Sequence, residues 1–152
     1  MRSSTCRLLL ALAIAACGGG GSDGPTDPGN GNGNGFDVSG NWRVTATVIE
    51  TTCPDIDLGE EEMQVVVIEH EGDQITFIVE GLGSVTGAID VQTGEFVIDV
   101  NVFVPGQGSL RLQESGQFTS ETRYTSEETV TFEDVAIACH FRTMDEGARI
   151  ST

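Results

Sequence analysis

The sequence predicts an all-β domain over residues 36–152, a small antiparallel up-and-down barrel of eight or nine strands. Three observations support this fold class. Apolar and polar residues alternate with a period of two along several short segments, which is typical of half-buried strands. Short turn-forming sequences separate these segments, and no segment of helical length has apolar residues at three-to-four spacing. A chain of 152 residues has room for one ordinary domain.

The first three strands are predicted from this alternation and from one short turn. Asn41–Thr52 places Trp42 and every second residue after it on one face, and Arg43 begins the polar face. Met63–His70 and Gln74–Glu80 are rich in β-branched residues and are separated by a connection of hairpin length. They are therefore predicted to pair as antiparallel neighbours.

The second half of the domain repeats this arrangement. Ser84–Val91 and Glu95–Val104 flank a Gln-Thr-Gly turn, and Pro105 and the residues after it break the sheet. The alternation is weakest between residues 116 and 126. The remaining predicted strands are Ser109–Glu114, Gln117–Thr125, Glu128–Phe132 and Ala136–Met144.

Short sequential connections favour up-and-down pairing of neighbouring strands. Closing such a sheet into a barrel leaves it without exposed edges. A β-sandwich is the alternative architecture. An eight-stranded barrel encloses a space that side chains can fill or that can hold one small ligand.

Residues 1–16 are predicted to be a signal peptide. Arg2 and Arg7 form a basic start, and Leu8–Ala16 is an apolar core that ends in small residues just before Cys17. This core is much shorter than the roughly 20 apolar residues that a transmembrane helix needs. Export followed by cleavage is therefore the expected role of this segment.

The residues Ile14–Cys17 (Ile-Ala-Ala-Cys) resemble the lipobox of bacterial lipoproteins. In that family the Cys thiol is alkylated with diacylglycerol and the Cys becomes the new N-terminus. The resemblance implies lipidation of Cys17 and attachment to a membrane of the bacterial cell envelope. Gly18 follows, where an Asp would resemble an inner-membrane retention signal, so the outer membrane is the expected location, with the domain either periplasmic or surface-exposed.

The segment 17–35 is predicted to be a flexible linker behind the lipidated Cys17. It contains no aliphatic or aromatic side chain after that residue, so it cannot contribute to a core. A Gly-rich chain of this length spans roughly 20–25 Å on average. The mature chain is strongly acidic, since the chain has 24 Asp and Glu and no Lys, and cleavage removes two of its seven Arg. This charge excludes nucleic acid as a partner.

Gly40-Asn41-Trp42 opens the first predicted strand. A G-x-W sequence at this place resembles the first signature of the lipocalin and calycin families. In those barrels the Trp packs over the closed end, against an Arg that arrives from the last strand. The resemblance therefore implies a barrel-closing motif of Gly40, Trp42 and Arg142, with Arg149 as the alternative Arg, and it implies a ligand in the barrel.

Cys53 and Cys139 are predicted to form a disulfide. They are the two thiols left when Cys6 is removed with the signal peptide and Cys17 is lipidated, and an even pair in an exported protein indicates a bridge. One lies after the first strand and the other on the last, which are neighbours in a closed barrel. Their Cα atoms could then approach the roughly 5.5 Å that a disulfide requires.

The sequence predicts no catalytic residue, metal ion or cofactor. The acidic segment 55–62 departs from the EF-hand pattern and is interpreted as a solvated loop. His70 and His140 have no further ligand at metal spacing, and no G-x-S-x-G nucleophile motif occurs.

Two functions from different classes remain. The first is a non-enzymatic, lipid-anchored binding protein that holds a small apolar or amphipathic ligand in the barrel. The second is an acidic protein-binding or inhibitor module that captures a basic partner protein. The interior distinguishes them: if Trp42, Phe77, Phe96 and their neighbours fill it, the small-ligand function fails.

Overall fold

The structure is a computed structural model that describes residues 37–80, 83–104, 108–133 and 138–150. The predicted signal peptide (1–16), the predicted lipidation site Cys17 and the predicted linker (17–35) lie outside the described residues. Among the described residues, no helix is long and apolar enough to cross a membrane. The eight strands are β1 (Gly40–Thr51), β2 (Glu61–Glu71), β3 (Gln74–Val79), β4 (Gly83–Ile89), β5 (Glu95–Val104), β6 (Gly108–Ser120), β7 (Arg123–Glu133) and β8 (Ala138–Arg149).

The strands form one closed barrel in sequence order, and every pair of neighbours is antiparallel. β1 also pairs with β8 over most of its length, from Trp42 opposite Arg149 to Thr51 opposite Phe141. This pairing closes the sheet. The predicted up-and-down barrel is confirmed with eight strands, and the β-sandwich alternative is not adopted.

The prediction was wrong about the strands between residues 109 and 132. Gly116 does not end a strand: it lies inside β6, and the turn comes at 121–122. A Cβ at Gly116 would lie 2.5 Å from Ser126 Cβ and 2.6 Å from Phe96 Cζ. Glycine is therefore required at this position for interior space, which a sequence pattern cannot distinguish from a strand break.

The last strand continues past the predicted end at Met144 to Arg149. Gly147 in this extension faces the ring of Tyr124, and a Cβ there would lie 2.0 Å from Tyr124 Cε1. Because Gly147 has no side chain, the Tyr124 ring can occupy this space. The extension also completes the pairing between β8 and the start of β1.

The barrel has two different ends. The Trp42 end contains the start of β1 and the turns at 72–73, 90–94 and 121–122; the Cys53 end contains the connection from β1 to β2. Five aromatic rings pack together at the Trp42 end, with centroid separations of 5.1–6.0 Å. Such ring pairs contribute about 0.5–1.5 kcal/mol each beyond the area that they bury. The five residues are Trp42, Phe77, Phe96, Phe118 and Tyr124.

The predicted disulfide is confirmed. Cys53 and Cys139 are bonded, with their Cα atoms 5.0 Å apart. The bridge fastens the segment that follows β1 to the start of β8, at the Cys53 end. Thr52 strengthens the same junction, because its backbone N–H and its hydroxyl both bond to His140. The disulfide therefore reinforces the strand pair that closes the barrel.

Replacing both cysteines with serine (Cys53→Ser, Cys139→Ser) should lower the free energy of unfolding by about 2–5 kcal/mol, because the bridge restricts a loop of 86 residues in the unfolded chain. Urea denaturation of the oxidised protein and of the double variant, followed by Trp42 fluorescence, measures this difference. The reduced wild-type protein is the control and should match the double variant. Equal stability of the oxidised protein and the double variant would contradict this role of the bridge.

Candidate ligand-binding lumen

The interior is filled at the Trp42 end and is more open toward the Cys53 end. Directly opposite residues of an antiparallel pair point to the same face of the sheet. Glu62 therefore faces the lumen, because it is paired with the buried Ala46. In this half Leu110, Val130 and Phe141 are buried, and several other lumen-facing residues are only half-buried. They are Glu62 and Gln64 on β2, Val100 and Val102 on β5, and Glu128 on β7.

Three carboxyl groups point into the lumen from three neighbouring strands. Glu114 on β6 is directly opposite Glu128 on β7, and Asp145 on β8 is opposite Ser126. Directly opposite Cβ atoms lie about 4.5–5.5 Å apart, so Glu114 and Glu128 are close neighbours. Asp145 is near enough to raise the pKa of both. Glu114, Glu128 and Asp145 are called the lumenal acidic cluster below. Sequence analysis did not find this cluster.

Hydrogen bonds satisfy the cluster only in part. Ser126 Oγ donates to Glu114 Oε1 over 2.7 Å. Within the described part of the chain, the buried Asp145 Oδ1 and Thr143 Oγ1 have no hydrogen-bond partner. Thr143 lies opposite Glu128 and is only 2% exposed. Unpaired buried polar atoms are rare in proteins, because each one loses its bond to water.

Burial shifts the titration of all three carboxyls. It raises the pKa of Glu114 to about 8, and the nearby charge of Asp145 raises that pKa further while the bond from Ser126 lowers it. Burial also raises the pKa of Asp145 to about 6. The pKa of Glu128 lies well above its ordinary range, owing to burial and then to the charges of Glu114 and Asp145. The cluster therefore favours its protonated form.

The cationic side chains of the described residues lie elsewhere. Arg43 and Arg123 are exposed on the outer wall, and Arg111 forms an ion pair there with Asp99 at 2.8 Å. His70 bonds to the carbonyl of Gly72, and His140 bonds to Glu50. None of these groups reaches the lumenal acidic cluster.

Arg142 does not belong to the barrel-closing motif, which corrects the first choice made from the sequence. It lies on the outer wall of β8 and forms ion pairs with Glu50, at 2.8 Å, and with Glu127. Side chains of a strand alternate between the faces of a sheet, and Arg142 follows the lumen-facing Phe141, so it points outward.

Arg149 occupies the position that the motif requires. It is opposite Trp42 in the β1–β8 register, and its guanidinium donates to the backbone carbonyls of Asp37, Ser39 and Glu121. Gly40 has a φ of +144°, and a Cβ there would lie 3.0 Å from Arg149 Nε. Glycine is thus needed for both conformation and space.

Trp42 lies beneath this closure. It is fully buried, and its Nε1 donates to the carbonyl of Val38 over 2.9 Å. Val38 is itself buried and covers the Trp42 end. The structure therefore brings together Gly40, Trp42 and Arg149.

Two further features of the surface could bind a ligand: the acidic segment 55–62 and a cleft on the outer wall. In the described residues, no group of three or more His, Cys, Asp or Glu is arranged to hold a metal ion, including the acidic segment 55–62. A broad cleft of about 770 Å³ lies on the outer wall, where the outward side chains of β5 to β8 line it. They include Val97, Gln117, Thr125, Glu127 and Met144.

No protein-family model matches the chain, and no curated protein matches it. The chain is similar to the solved structure of EF1p2_mFAP2b bound to DFHBI, with a TM-score of 0.50 and 14% sequence identity. The similarity covers 74% of this chain and 94% of the other. At this identity the likeness concerns the fold, and it agrees with the closed barrel.

Arg149→Met should lower the free energy of unfolding by about 1–3 kcal/mol, because three backbone carbonyls at the Trp42 end lose a charged donor. Arg142→Met is the matched control. It should have a much smaller effect, because exposed ion pairs contribute little. Urea denaturation of both variants measures the difference. A larger loss of unfolding free energy in Arg142→Met than in Arg149→Met would instead indicate that Arg142 closes the barrel.

The lumenal acidic cluster should make the protein less stable as the pH rises. A carboxyl whose pKa is raised by folding stabilises the folded state fully at pH values below its unfolded pKa. This stabilisation is lost as the pH rises through its folded pKa. We therefore expect the free energy of unfolding to fall from about pH 5 to about pH 8.5, since the cited pKa values lie near 6 and 8.

Glu114→Gln should remove part of this dependence and raise the free energy of unfolding at about pH 8.5 by about 1–3 kcal/mol. Urea denaturation across the pH range measures the effect. The control Glu69→Gln removes an exposed carboxyl from β2 and should leave the slope unchanged. A flat profile for the wild-type protein would contradict the assignment of buried carboxyls.

Proposed function

We propose that the protein is a non-enzymatic, lipid-anchored binding protein of the bacterial cell envelope, which holds a small amphipathic ligand in the Cys53 half of the barrel. One observation carries the proposal. Five lumen-facing side chains in this half, both apolar and polar, are only half-buried, although others beside them are buried. The Trp42 half is filled by aromatic rings. Apolar pockets with a few polar groups are typical ligand sites, and barrel mouths are common places for them.

The aromatic cluster limits the size of the ligand. Trp42, Phe77 and Phe96 were expected to exclude a small ligand if they and their neighbours filled the interior, and they fill one half of it. The site proposed here therefore lies in the other half, between the ring cluster and the Cys53 end. The ligand must be short enough to end below the rings.

Apolar side chains supply the binding energy in this half. Val100 and Val102 leave part of their surface uncovered inside the barrel. Covering apolar surface contributes about 25 cal/mol per Å². Polar groups at the same level, including Gln64 and Glu128, would orient the ligand. A ligand with both apolar and polar parts fits this lining best.

The fold likeness supports a ligand site in general terms. The structurally similar protein EF1p2_mFAP2b was solved with DFHBI bound. Its similarity extends over most of both chains, so the two barrels share their architecture. This supports a bound small molecule here without indicating which one.

The lipid anchor is proposed from the lipobox-like residues that end at Cys17. Each buried CH2 of an acyl chain contributes about 0.8 kcal/mol, and more than one chain makes attachment durable. Acyl chains are needed because the acidic chain is repelled by anionic lipids. The linker 17–35 would let the barrel reach ligands close to the membrane surface.

Native mass spectrometry of the protein purified from its own membrane tests this function. We expect a complex with one small molecule, and a denatured mass that includes a diacylglyceryl group on Cys17. The alternative function predicts a basic polypeptide instead of a small molecule. That result would favour an acidic inhibitor module and contradict the ligand site.

A lumen-filling variant locates the ligand. Val100→Phe adds a ring inside the open half, and it should abolish binding of the co-purifying molecule. Val97→Phe is the matched control, because Val97 lies on the same strand and is 57% exposed on the outer wall. Equal loss of binding in both variants would place the ligand outside the lumen.

A further inference from the structure

We propose that the ligand carries a basic nitrogen, and that its protonated amine binds the lumenal acidic cluster while its apolar part lies toward the Cys53 end. This inference rests on the proposed function and names the chemical class of the ligand.

The lumenal acidic cluster has no counter-ion among the described residues. On the outer wall, Asp99 is paired with Arg111, and Glu50 and Glu127 are paired with Arg142. The three carboxyls of the lumenal acidic cluster have no such partner among the described residues. Buried charges in proteins are normally paired, because an unpaired one loses its hydration. Without a cation beside them the carboxyls favour their protonated form, and a bound cation would allow them to ionise and pair with it.

Two buried polar atoms in the lumen also favour a cation. Asp145 Oδ1 and Thr143 Oγ1 are buried without a well-aligned hydrogen bond, and their residues are 4% and 2% exposed. The Thr143 hydroxyl lies close enough to Asp145 to lower its pKa in part, but it does not offset the effect of burial. Both residues face the lumen from β8, beside the strand β7 that carries Glu128. An ammonium group offers three N–H donors and no acceptor, so it complements oxygen atoms that lack a donor. A ligand with a carboxylate would instead place a fourth acidic group beside the three of the cluster, so it fits less well.

Glu128 is the member of the lumenal acidic cluster that is most accessible to a ligand. Glu128 is half-buried, although the lumen-facing residues before and after it on β7, Ser126 and Val130, are buried. Its free surface therefore faces space inside the barrel. Elsewhere around the lumen, the lumen-facing side chains of Glu62 and Gln64 on β2 and of Val100 and Val102 on β5 are also half-buried. An amine that enters the lumen meets Glu128.

The lining favours an organic amine over a metal ion. Around the cluster, the lumen-facing positions of β1 and β5 are apolar, including Val48, Ile98 and Val100. A hydrated metal ion gains nothing from such a surface, and the described carboxyls do not form a three-ligand metal group. An alkyl chain gains from covering it. A primary amine with an apolar tail therefore satisfies both parts of the site.

Binding should depend on pH, because a protonated carboxyl cannot pair with an ammonium group. Among the described residues, β6, β7, β8 and β2 direct ionisable groups into the lumen, and the lumen-facing residues of β1, β3, β4 and β5 beside the cluster are apolar. An alkylamine stays protonated up to about pH 9–10, by analogy with Lys. Affinity should therefore rise from pH 5 to pH 8. The ionisable groups are Glu62, Glu114, Tyr124, Glu128 and Asp145.

Isothermal titration calorimetry with three probes of equal chain length tests the inference on the delipidated full barrel protein. The probes are decylammonium, decan-1-ol and decanoate. At pH 8, decylammonium should bind at least about tenfold more tightly than decan-1-ol, which is a typical effect of one charge-assisted hydrogen bond. Decanoate should bind most weakly. Decylammonium binding should weaken at pH 5 and should release protons at pH 8.

Variants assign the effect to the cluster. Glu128→Gln and Asp145→Asn keep the side-chain shapes and should each reduce decylammonium affinity about tenfold, with decan-1-ol affinity unchanged. Glu69→Gln removes an exposed charge from β2 and should change neither. Circular dichroism checks that each variant is folded. The two variants lie on different strands, so the test remains possible if one of them does not fold.

The outcomes separate this inference from the proposed function. Equal affinity for all three probes, or preference for decanoate, would overturn the amine inference and leave the lumenal site in place. Binding of none of the probes, together with no co-purifying small molecule, would overturn both. An equal loss of decylammonium binding in Glu69→Gln would show that surface charge, and not the lumen, attracts the amine.

Discussion

The pairing of β1 with β8 is the constraint on which the rest of the structure depends. It joins the two ends of an otherwise open sheet, so every strand gains two neighbours and every second side chain must point into one enclosed space. Arg149 secures this pairing at the Trp42 end and the disulfide secures it at the other end. Because both fastenings act on the same strand pair, the fold does not rely on a large apolar core alone.

Closure also explains why the barrel can keep buried carboxyls. The ring cluster and the apolar layer at the Cys53 end, with Leu110, Val130 and Phe141, bury enough apolar surface to offset a polar layer between them. Glu114, Glu128 and Asp145 lie in that layer. A purely structural interior would be more stable with apolar residues there.

The sequence predicted the barrel because strand alternation and short turns are local properties. It predicted the disulfide because cysteine pairing needs only a count and the order of the strands. It missed the end of β6, because Gly116 serves a contact with Phe96 that only the folded structure reveals. The acidic cluster was missed for a different reason. Glu114 and Glu128 lie at the ends of predicted strands and Asp145 lies just beyond one, and only the observed strand pairing places them together inside the barrel.

The central claim is that the lumen holds three carboxyls, two buried and one half-buried, with no cation beside them among the described residues. Carbon-13 NMR titration of the side-chain carboxyl carbons, assigned with Glu114→Gln, Glu128→Gln and Asp145→Asn, tests it most directly. The account predicts that these three groups titrate above the other carboxyls, with the pKa of Glu114 near 8 and that of Asp145 near 6. Titration of all three at about pH 4, as expected for exposed carboxyls, would contradict it.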